Sequence, residues 1–100
     1  MEDKAREFDF GTAVEFARQG YKISRRGWNG KGQWVSFAPG KELDLTKHDI
    51  WTENIKEVAQ QNGGKVKIRD YMNLKTVNNE IQIGWTPSIS DALAKDWYIV

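Results

Sequence analysis

The chain has 100 residues, of which 39% are hydrophobic and 12% aromatic, with no cysteine and a formal net charge of +1. This length allows one domain with a modest core, and the lack of cysteine excludes disulfides and thiolate chemistry. The near-neutral charge disfavours bulk binding to DNA. No apolar run is long enough to span a membrane, and the first residues do not form a signal peptide. We therefore expect a protein of a reducing compartment, without a membrane partner.

Positive charge is concentrated in one part of the chain. Residues 16–41 contain no Asp or Glu and six cations, which are Arg18, Lys22, Arg25, Arg26, Lys31 and Lys41. The segment Arg25–Trp34 adds two tryptophans and three glycines. Cations attract phosphate, aromatic rings stack on bases, and glycines let backbone N–H groups approach a ligand. The pattern indicates a site for a small anionic or nucleotide-like ligand, or for nucleic acid.

The first third of the chain predicts a helix followed by a hairpin. Residues 1–7 are charged, and we expect them to be frayed. Thr12 and Glu15 have the spacing of a capping box, which predicts a helix over 12–18. Alternating residues predict strands over 21–25 and 33–38, with the glycine-rich cationic segment as the turn between them.

The middle of the chain is less regular. Residues 41–64 read as a variable, partly helical insertion, with helical spacing over 49–61. Alternation from Lys65 to Leu74 predicts one extended run. Asn78-Asn79 is suited to a hairpin turn, and residues 80–85 are predicted to return as the partner strand.

The last part of the chain predicts a short helix and a strand. Ser88 and Asp91 form a second capping-box pattern, for a helix through Lys95, and residues 97–100 are apolar enough to form a final strand. The whole order predicts a single α+β domain over residues 1–100, built on a mainly antiparallel sheet with two or three short helices.

Three segments together resemble a known family. They are residues 20–32, residues 74–85 with their central turn, and residues 85–97. Their sequences and order resemble the family of small phage and prophage proteins that includes the Thoeris anti-defence protein one, formerly a domain of unknown function. The likeness covers residues 8–38 and 71–100. Asn78-Asn79 replaces the usual Asp-Gly, and Pro87 replaces the usual alanine or leucine.

The resemblance implies a function without catalysis. Such proteins bind and sequester cyclic ADP-ribose-type signals made by bacterial TIR-domain enzymes, and some relatives also bind cyclic oligonucleotides at a separate site, as oligomers. By this likeness we expect a homo-oligomer, either a dimer or a trimer of dimers, in the cytoplasm of the infected bacterial host. No cofactor is implied.

The chemistry of such a ligand selects the candidate residues. Arginine suits phosphates, indoles suit a base, and Asn, Ser and Asp suit hydroxyl groups. The ligand-binding candidates are Arg25, Trp28, Asn29, Trp85, Ser88 and Asp91. The absence of acids near Arg25 in the sequence favours a phosphate contact, and we expect Arg25→Ala to weaken binding with the fold intact.

Several candidates also have a structural interpretation. Trp28 either stacks on a base or fills the core, and the core is favoured. Trp85 fits either role. Ser88 and Asp91 are first a capping pair, although the same helix N-terminus can face an anion.

Other functions remain open from sequence. Basic and aromatic residues interleaved on strands also suit a single-stranded nucleic-acid binder, and the tryptophans suit the interface of a phage structural protein. A nucleotide-hydrolysing enzyme is disfavoured because no nucleophile–base pair is evident. With His48 as the sole histidine and no cysteine, a zinc site is also disfavoured.

Overall fold

A computed structural model of the protein describes residues 6–50 and 52–100. In this part of the chain there are seven strands and three helices, and every strand pair is antiparallel, which confirms the predicted α+β class. The chain divides into two compact units, the first made of residues up to 38 together with residues 71–100, and the second of residues 39–70.

A five-stranded antiparallel sheet forms the first unit. Its strands are β1 (Ile23–Arg25), β2 (Trp34–Ala38), β5 (Tyr71–Lys75), β6 (Ile81–Ile83) and β7 (Trp97–Ile99), in the spatial order β6-β5-β2-β1-β7. Ile23 pairs with both Val35 and Ile99, and Arg25 pairs with Trp97. Since residues that pair directly across strands share a face, Arg25 projects from the same face as the apolar residues of β1, β2 and β7.

Helix α1 (Phe10–Arg18) packs on that apolar face. The predicted cap is wrong by three residues: Asp9, not Thr12, is the N-cap, and its side chain accepts a hydrogen bond from the Thr12 N–H. Both residue types cap well, and an Asp9 cap brings Phe10 into the helix, where it packs against the core. Gly20 has φ +103° just beyond the helix, a conformation that favours glycine at a helix end.

The core of the first unit is small and tightly packed. Its fully buried residues are each at most 1% exposed, and they are Ala13, Ala17, Ile23, Val35 and Trp97. Alanine at both helix positions lets α1 lie close to the sheet, and the Trp97 indole fills much of the remaining space. Phe8 makes an isolated β-bridge with Trp97.

The final elements follow the prediction closely. β5 and β6 form the predicted hairpin, and Asn79 takes φ +62° in its turn. Helix α3 (Ile89–Leu93) has the predicted capping box between Ser88 and Asp91, but it ends before Lys95.

The second unit contains a two-stranded sheet of β3 (Lys41–Asp44) and β4 (Lys65–Ile68), together with helix α2 (Glu53–Gln61). Its buried residues are Leu43, Ile50 and Ala59. The sequence missed β3, which has a single apolar residue. The single run predicted over 65–74 is wrong, because it is divided at 69–70 into β4 and β5, which belong to different sheets. The start of the predicted helix includes Trp51, which lies outside the described residues.

Candidate ligand-binding site

The segment between β1 and β2, residues 26–33, is here called the cationic loop. Hydrogen bonds fix both of its ends. At the first end, the Gly27 N–H donates to Asp96 Oδ2 at 2.8 Å and the Arg26 N–H donates to the Asp96 carbonyl at 3.1 Å. At the second end, Ser24 Oγ donates to the Gln33 carbonyl and Lys75 Nζ donates to the Gly32 carbonyl, each at 2.8 Å. The loop therefore has a defined shape although it contains three glycines.

Arg25 lies at the base of the loop between two carboxylates. Its Nε donates to Asp96 Oδ1 at 2.8 Å, and its Nη1 donates to Asp91 Oδ1 at 2.8 Å. The side chain is 17% exposed. The expectation of a surface without acids around Arg25 is therefore wrong, because the acids come from 66 and 71 residues further along the chain. Sequence proximity gave no indication of this contact, since β7 brings these residues to β1.

Asp91 also joins the loop to helix α3. Its Oδ1 accepts a second hydrogen bond from Trp28 Nε1 at 2.9 Å, and its Oδ2 accepts from the Ser88 N–H at 3.1 Å. The Asp91 carbonyl accepts from Trp97 Nε1 at 2.9 Å. Asp91, which the sequence predicted mainly as a helix cap, thus connects β1 through Arg25, the cationic loop through Trp28 and the start of α3 through Ser88. We call Arg25, Trp28, Asp91 and Asp96 the Arg25 cluster.

The charges of the cluster stabilise one another. Burial raises the pKa of Asp91, but hydrogen bonds from Trp28, Arg25 and Ser88 outweigh burial and hold that pKa below its ordinary value. The hydrogen bond from Arg25 lowers the pKa of Asp96. The hydrogen bonds that Arg25 donates to Asp96 and Asp91 in turn raise the pKa of Arg25. All three groups are therefore ionised at neutral pH.

Three tryptophans pack edge to face beside the cluster. The ring centroid of Trp28 lies 5.2 Å from that of Trp97 and 6.2 Å from that of Trp85. Trp28 and Trp85 are half-buried and pack against the buried core. This packing is expected if Trp28 fills the core. The Trp28 side chain thereby holds the start of the loop against the sheet.

A cavity of about 440 Å³ opens on the cationic loop. Pockets for small ligands typically have volumes of about 300–1,000 Å³. In the part of the chain that the structure describes, no carboxylate lines this cavity. Its lining consists of Ser24, Arg25, Arg26, Trp28, Asn29, Gly30, Lys31, Gly32 and Tyr98.

The cations that line the cavity differ in their contacts. The Arg26 guanidinium lies 3.9 Å from the centre of the Tyr98 ring, and its Nε lies 3.3 Å from Glu7 Oε2. Lys31 and Asn29 are exposed on the loop. The Lys31 ammonium has no hydrogen-bond or ion-pair partner among residues 6–50 and 52–100. Its charge is the one most available to an incoming anion.

The six predicted residues fall into two groups. Arg25, Trp28 and Asn29 line the cavity. Asp91 contacts Trp28 and Arg25 from behind the loop, Ser88 contacts Asp91, and Trp85 contacts the Trp28 ring. Sequence reasoning missed Asp96 and Tyr98. The alternation of Trp97 and Tyr98 on the final strand was a signal that could have placed Tyr98 on the opposite face of the sheet from the core.

The second unit has a cavity of its own, of about 340 Å³. Its lining carries both signs of charge and consists of Gly40, Lys41, Glu42, Lys67, Ile68, Arg69 and Asp70. Within the described residues, no three His, Asp or Glu side chains gather as a metal site requires. Among the same residues, no helix has the length and apolar character that crossing a membrane needs.

Comparison with known proteins identifies the family. Residues 8–100 match the family model described as Tad2-like, the Thoeris anti-defense 2-like domain. The chain is also 34% identical over 97 residues to Thoeris anti-defense 2 of Bacillus phage SP01, covering 94% of this chain and 96% of that protein. The chain belongs to the Thoeris anti-defense 2-like family.

The family assignment confirms the resemblance to Thoeris anti-defence proteins. The matching protein is Thoeris anti-defense 2, whereas the sequence segments were compared with the Thoeris anti-defence protein one. The family assignment also supports a role in phage anti-defence inside a bacterial host. The match also includes residues 39–70, which lie outside the segments that carry the resemblance.

Proposed function

We propose that this protein binds a cyclic ADP-ribose-type immune signal in the cytoplasm of the infected host and sequesters it without degrading it. The observation that carries the proposal is the cavity on the cationic loop, which offers cations, hydroxyl groups and an aromatic ring with no carboxylate in its described lining. A cyclic ADP-ribose-type ligand presents phosphates, ribose hydroxyls and a base, which these groups can match.

The lining residues divide the recognition between them. Lys31 and Arg26 neutralise the phosphates, and Asn29 and Ser24 form hydrogen bonds with hydroxyl groups. Arg25 already donates to two carboxylates, so its main task in this proposal is to hold the loop, with any phosphate contact made by its remaining N–H groups. Trp28, Trp85, Ser88 and Asp91 support the wall behind the loop.

A second copy of the chain would complete the site. The cavity is open to solvent on one side, whereas tight small-molecule sites bury most of their ligand. The first unit exposes apolar side chains that an interface would cover, namely Ile81, Ile83, Ile89 and Leu93, which are 55–78% exposed. We therefore propose a homo-oligomer, a dimer or a trimer of dimers. Light scattering coupled to size exclusion measures its mass, and a monomer at micromolar concentration contradicts it.

The direct test is ligand capture. The protein is incubated with the product mixture of a TIR-domain enzyme supplied with NAD, washed, and heated, and the released molecules are identified by mass spectrometry. We expect one intact cyclic ADP-ribose isomer. A linear or hydrolysed product indicates an enzyme, and failure to retain any nucleotide contradicts the proposal.

A pair of lysine variants localises the site. Lys31→Ala removes the free cation of the loop, and we expect calorimetry with the captured nucleotide to show affinity lower by about 1.5–3 kcal/mol. Lys47→Ala makes the same change of charge at an exposed position of the second unit, and it should bind like the wild type. Equal affinity for both variants would place the ligand away from the cationic loop.

Single-stranded nucleic acid is the second candidate ligand, because four cations among the described residues lie over aromatic rings on the first unit. Lys22 Nζ is 5.2 Å from the centre of a Trp34 ring, and Arg26 lies over Tyr98. Titration with oligonucleotides at several salt concentrations separates the two functions. Affinity that rises with oligonucleotide length and falls steeply with salt favours nucleic acid.

A further inference from the structure

Asp96 holds Arg25 and the first two residues of the cationic loop. Its Oδ1 accepts from Arg25 Nε at 2.8 Å, its carbonyl accepts from the Arg26 N–H at 3.1 Å, and its Oδ2 accepts from the Gly27 N–H at 2.8 Å. The side chain does not line the cavity. Asp96 therefore acts on the loop from behind.

The contact with Gly27 leaves no room for a side chain. A Cβ atom at this position would lie 2.8 Å from Asp96 Oδ2 and 3.2 Å from Arg25 Nη2. Real Cβ atoms essentially never approach another atom to less than 3.0 Å. A side chain at position 27 would therefore force the Asp96 carboxylate to shift, so the charged contact and the loop backbone depend on each other.

Asp96 also acts on Trp28 through Arg25. The Arg25 guanidinium has Asp96 on Nε and Asp91 on Nη1, and the same Asp91 oxygen accepts from Trp28 Nε1. When Arg25 loses one carboxylate, its orientation toward the other is less restrained. We expect the position of the Trp28 indole to change in turn, because Trp28 and Arg25 donate to the same Asp91 oxygen.

We propose that Asp96 is a positioning residue that holds the cationic loop in its ligand-binding shape through Gly27 and Arg25. The part of this proposal that concerns affinity rests on the proposed function, whereas the part that concerns the loop does not. We expect an effect on affinity because only molecules with a correctly shaped loop can bind. The apparent Kd equals the intrinsic Kd divided by the fraction of such molecules.

The loop is tested first without ligand, by NMR of Asp96→Asn. The amide cannot accept at both positions as the carboxylate does, because one of its two groups is a donor. We expect shifted or broadened signals for the amides of Gly27, Gly30 and Gly32 and for the Trp28 indole N–H, with the amides of Ile23 and Val35 unchanged. Wild-type signals throughout the loop would overturn the proposal.

Two further variants separate positioning from general effects. Glu15→Gln makes the same change of charge on the exposed surface of α1, and it should leave the loop signals unchanged. Gly27→Ala keeps both charges of the Asp96–Arg25 pair but prevents the close approach, and it should reproduce the loop signals of Asp96→Asn. If Asp96→Asn does not fold, Gly27→Ala decides the question in the same way.

Binding is measured next, with the nucleotide that the wild type retains from the TIR enzyme mixture. We expect Asp96→Asn to bind roughly tenfold more weakly, with a slower association rate, because the competent loop is populated less. Wild-type affinity together with a disordered loop would overturn the proposal. If the wild type retains no nucleotide, the proposed function fails, and the ligand-free spectra still decide whether Asp96 holds the loop.

Discussion

Ion pairs in the two units of this protein have similar chemistry but different surroundings. In the first unit, Arg25 is 17% exposed and lies 2.8 Å from both Asp91 and Asp96. In the second unit, Lys65 lies 4.0 Å from Glu42, and these side chains are 56% and 62% exposed. The first arrangement uses a planar guanidinium with two directed hydrogen bonds, and the second is a loose pair in water.

This difference determines what each pair contributes. A pair exposed to water contributes little, since solvent screens it and two mobile side chains must be ordered. In a pair mostly removed from water, loss of one partner leaves the other charge poorly solvated. The Arg25 cluster should therefore be essential to the first unit, whereas Lys65 and Glu42 should be replaceable.

The largest expected effect is that of Arg25→Ala. It leaves Asp91 and Asp96 close together without a counter-charge, and we expect it to lower the free energy of unfolding by about 3 kcal/mol. Urea denaturation followed by tryptophan fluorescence measures the change. A loss below about 0.5 kcal/mol, the range of ordinary surface substitutions, would show that the cluster is not stabilising.

This result would also revise the sequence-based expectation that Arg25→Ala weakens binding and leaves the fold intact. Arg25→Lys is the matched variant, because it keeps the charge but cannot reach both carboxylates with a planar fork. Its stability should fall between those of the wild type and Arg25→Ala.

Acid should weaken the first unit next most strongly. The pKa values of Asp91 and Asp96 are lowered in the folded protein from the ordinary value of 3.8. Such groups add stability that is fully present above the unfolded pKa and is lost as the pH falls through the folded pKa. We expect the free energy of unfolding to decline below about pH 4 because of these groups, as measured by urea denaturation at a series of pH values. The decline should be smaller in Asp96→Asn.

Helix capping gives a smaller effect in the second unit. Thr52 Oγ1 accepts a hydrogen bond from the Ile55 N–H at 3.2 Å, so Thr52→Ala should destabilise α2 by about 1 kcal/mol. Hydrogen exchange of the α2 amides measures this locally. Gln60→Ala, at an exposed position of the same helix, is the control and should not speed exchange. Equal exchange in the two variants would mean that the cap does not hold the helix.

The smallest effect is expected for Lys65→Ala. Removing this exposed partner of Glu42 should change the free energy of unfolding by less than about 0.5 kcal/mol. Comparing it with Arg25→Ala by the same urea denaturation tests the contrast between the units. Similar decreases in the free energy of unfolding for the two variants would contradict the contrast between the two units.

Most of the first unit could be predicted from sequence because its signals are local. The capping box at Ser88, the glycine after α1 and the alternation of β2 each depend on residues a few positions apart. The Asp9 cap was missed because two good capping residues precede the same apolar stripe. β3 was missed because only Leu43 of its four residues is apolar.

The candidate site was predictable in composition but not in its contacts. The cationic loop and Trp28 were identified by residue type, whereas the carboxylates that hold them are 63–71 positions away in the sequence. Only strand pairing of β1 with β7 brings them together. The sequence around Arg25 contains no acidic residue, yet in the folded protein its side chain donates hydrogen bonds to two carboxylates.

The pairing of β1 with β7 also has a consequence for synthesis of the protein on the ribosome. The cationic loop is translated before residue 34, but Asp91, Asp96 and Trp97, which hold it, emerge more than fifty residues later. At translation rates of about 5–20 residues per second, this leaves a delay of roughly 3–13 s. During that interval a nascent chain has its cations and indoles in place but no ordered loop.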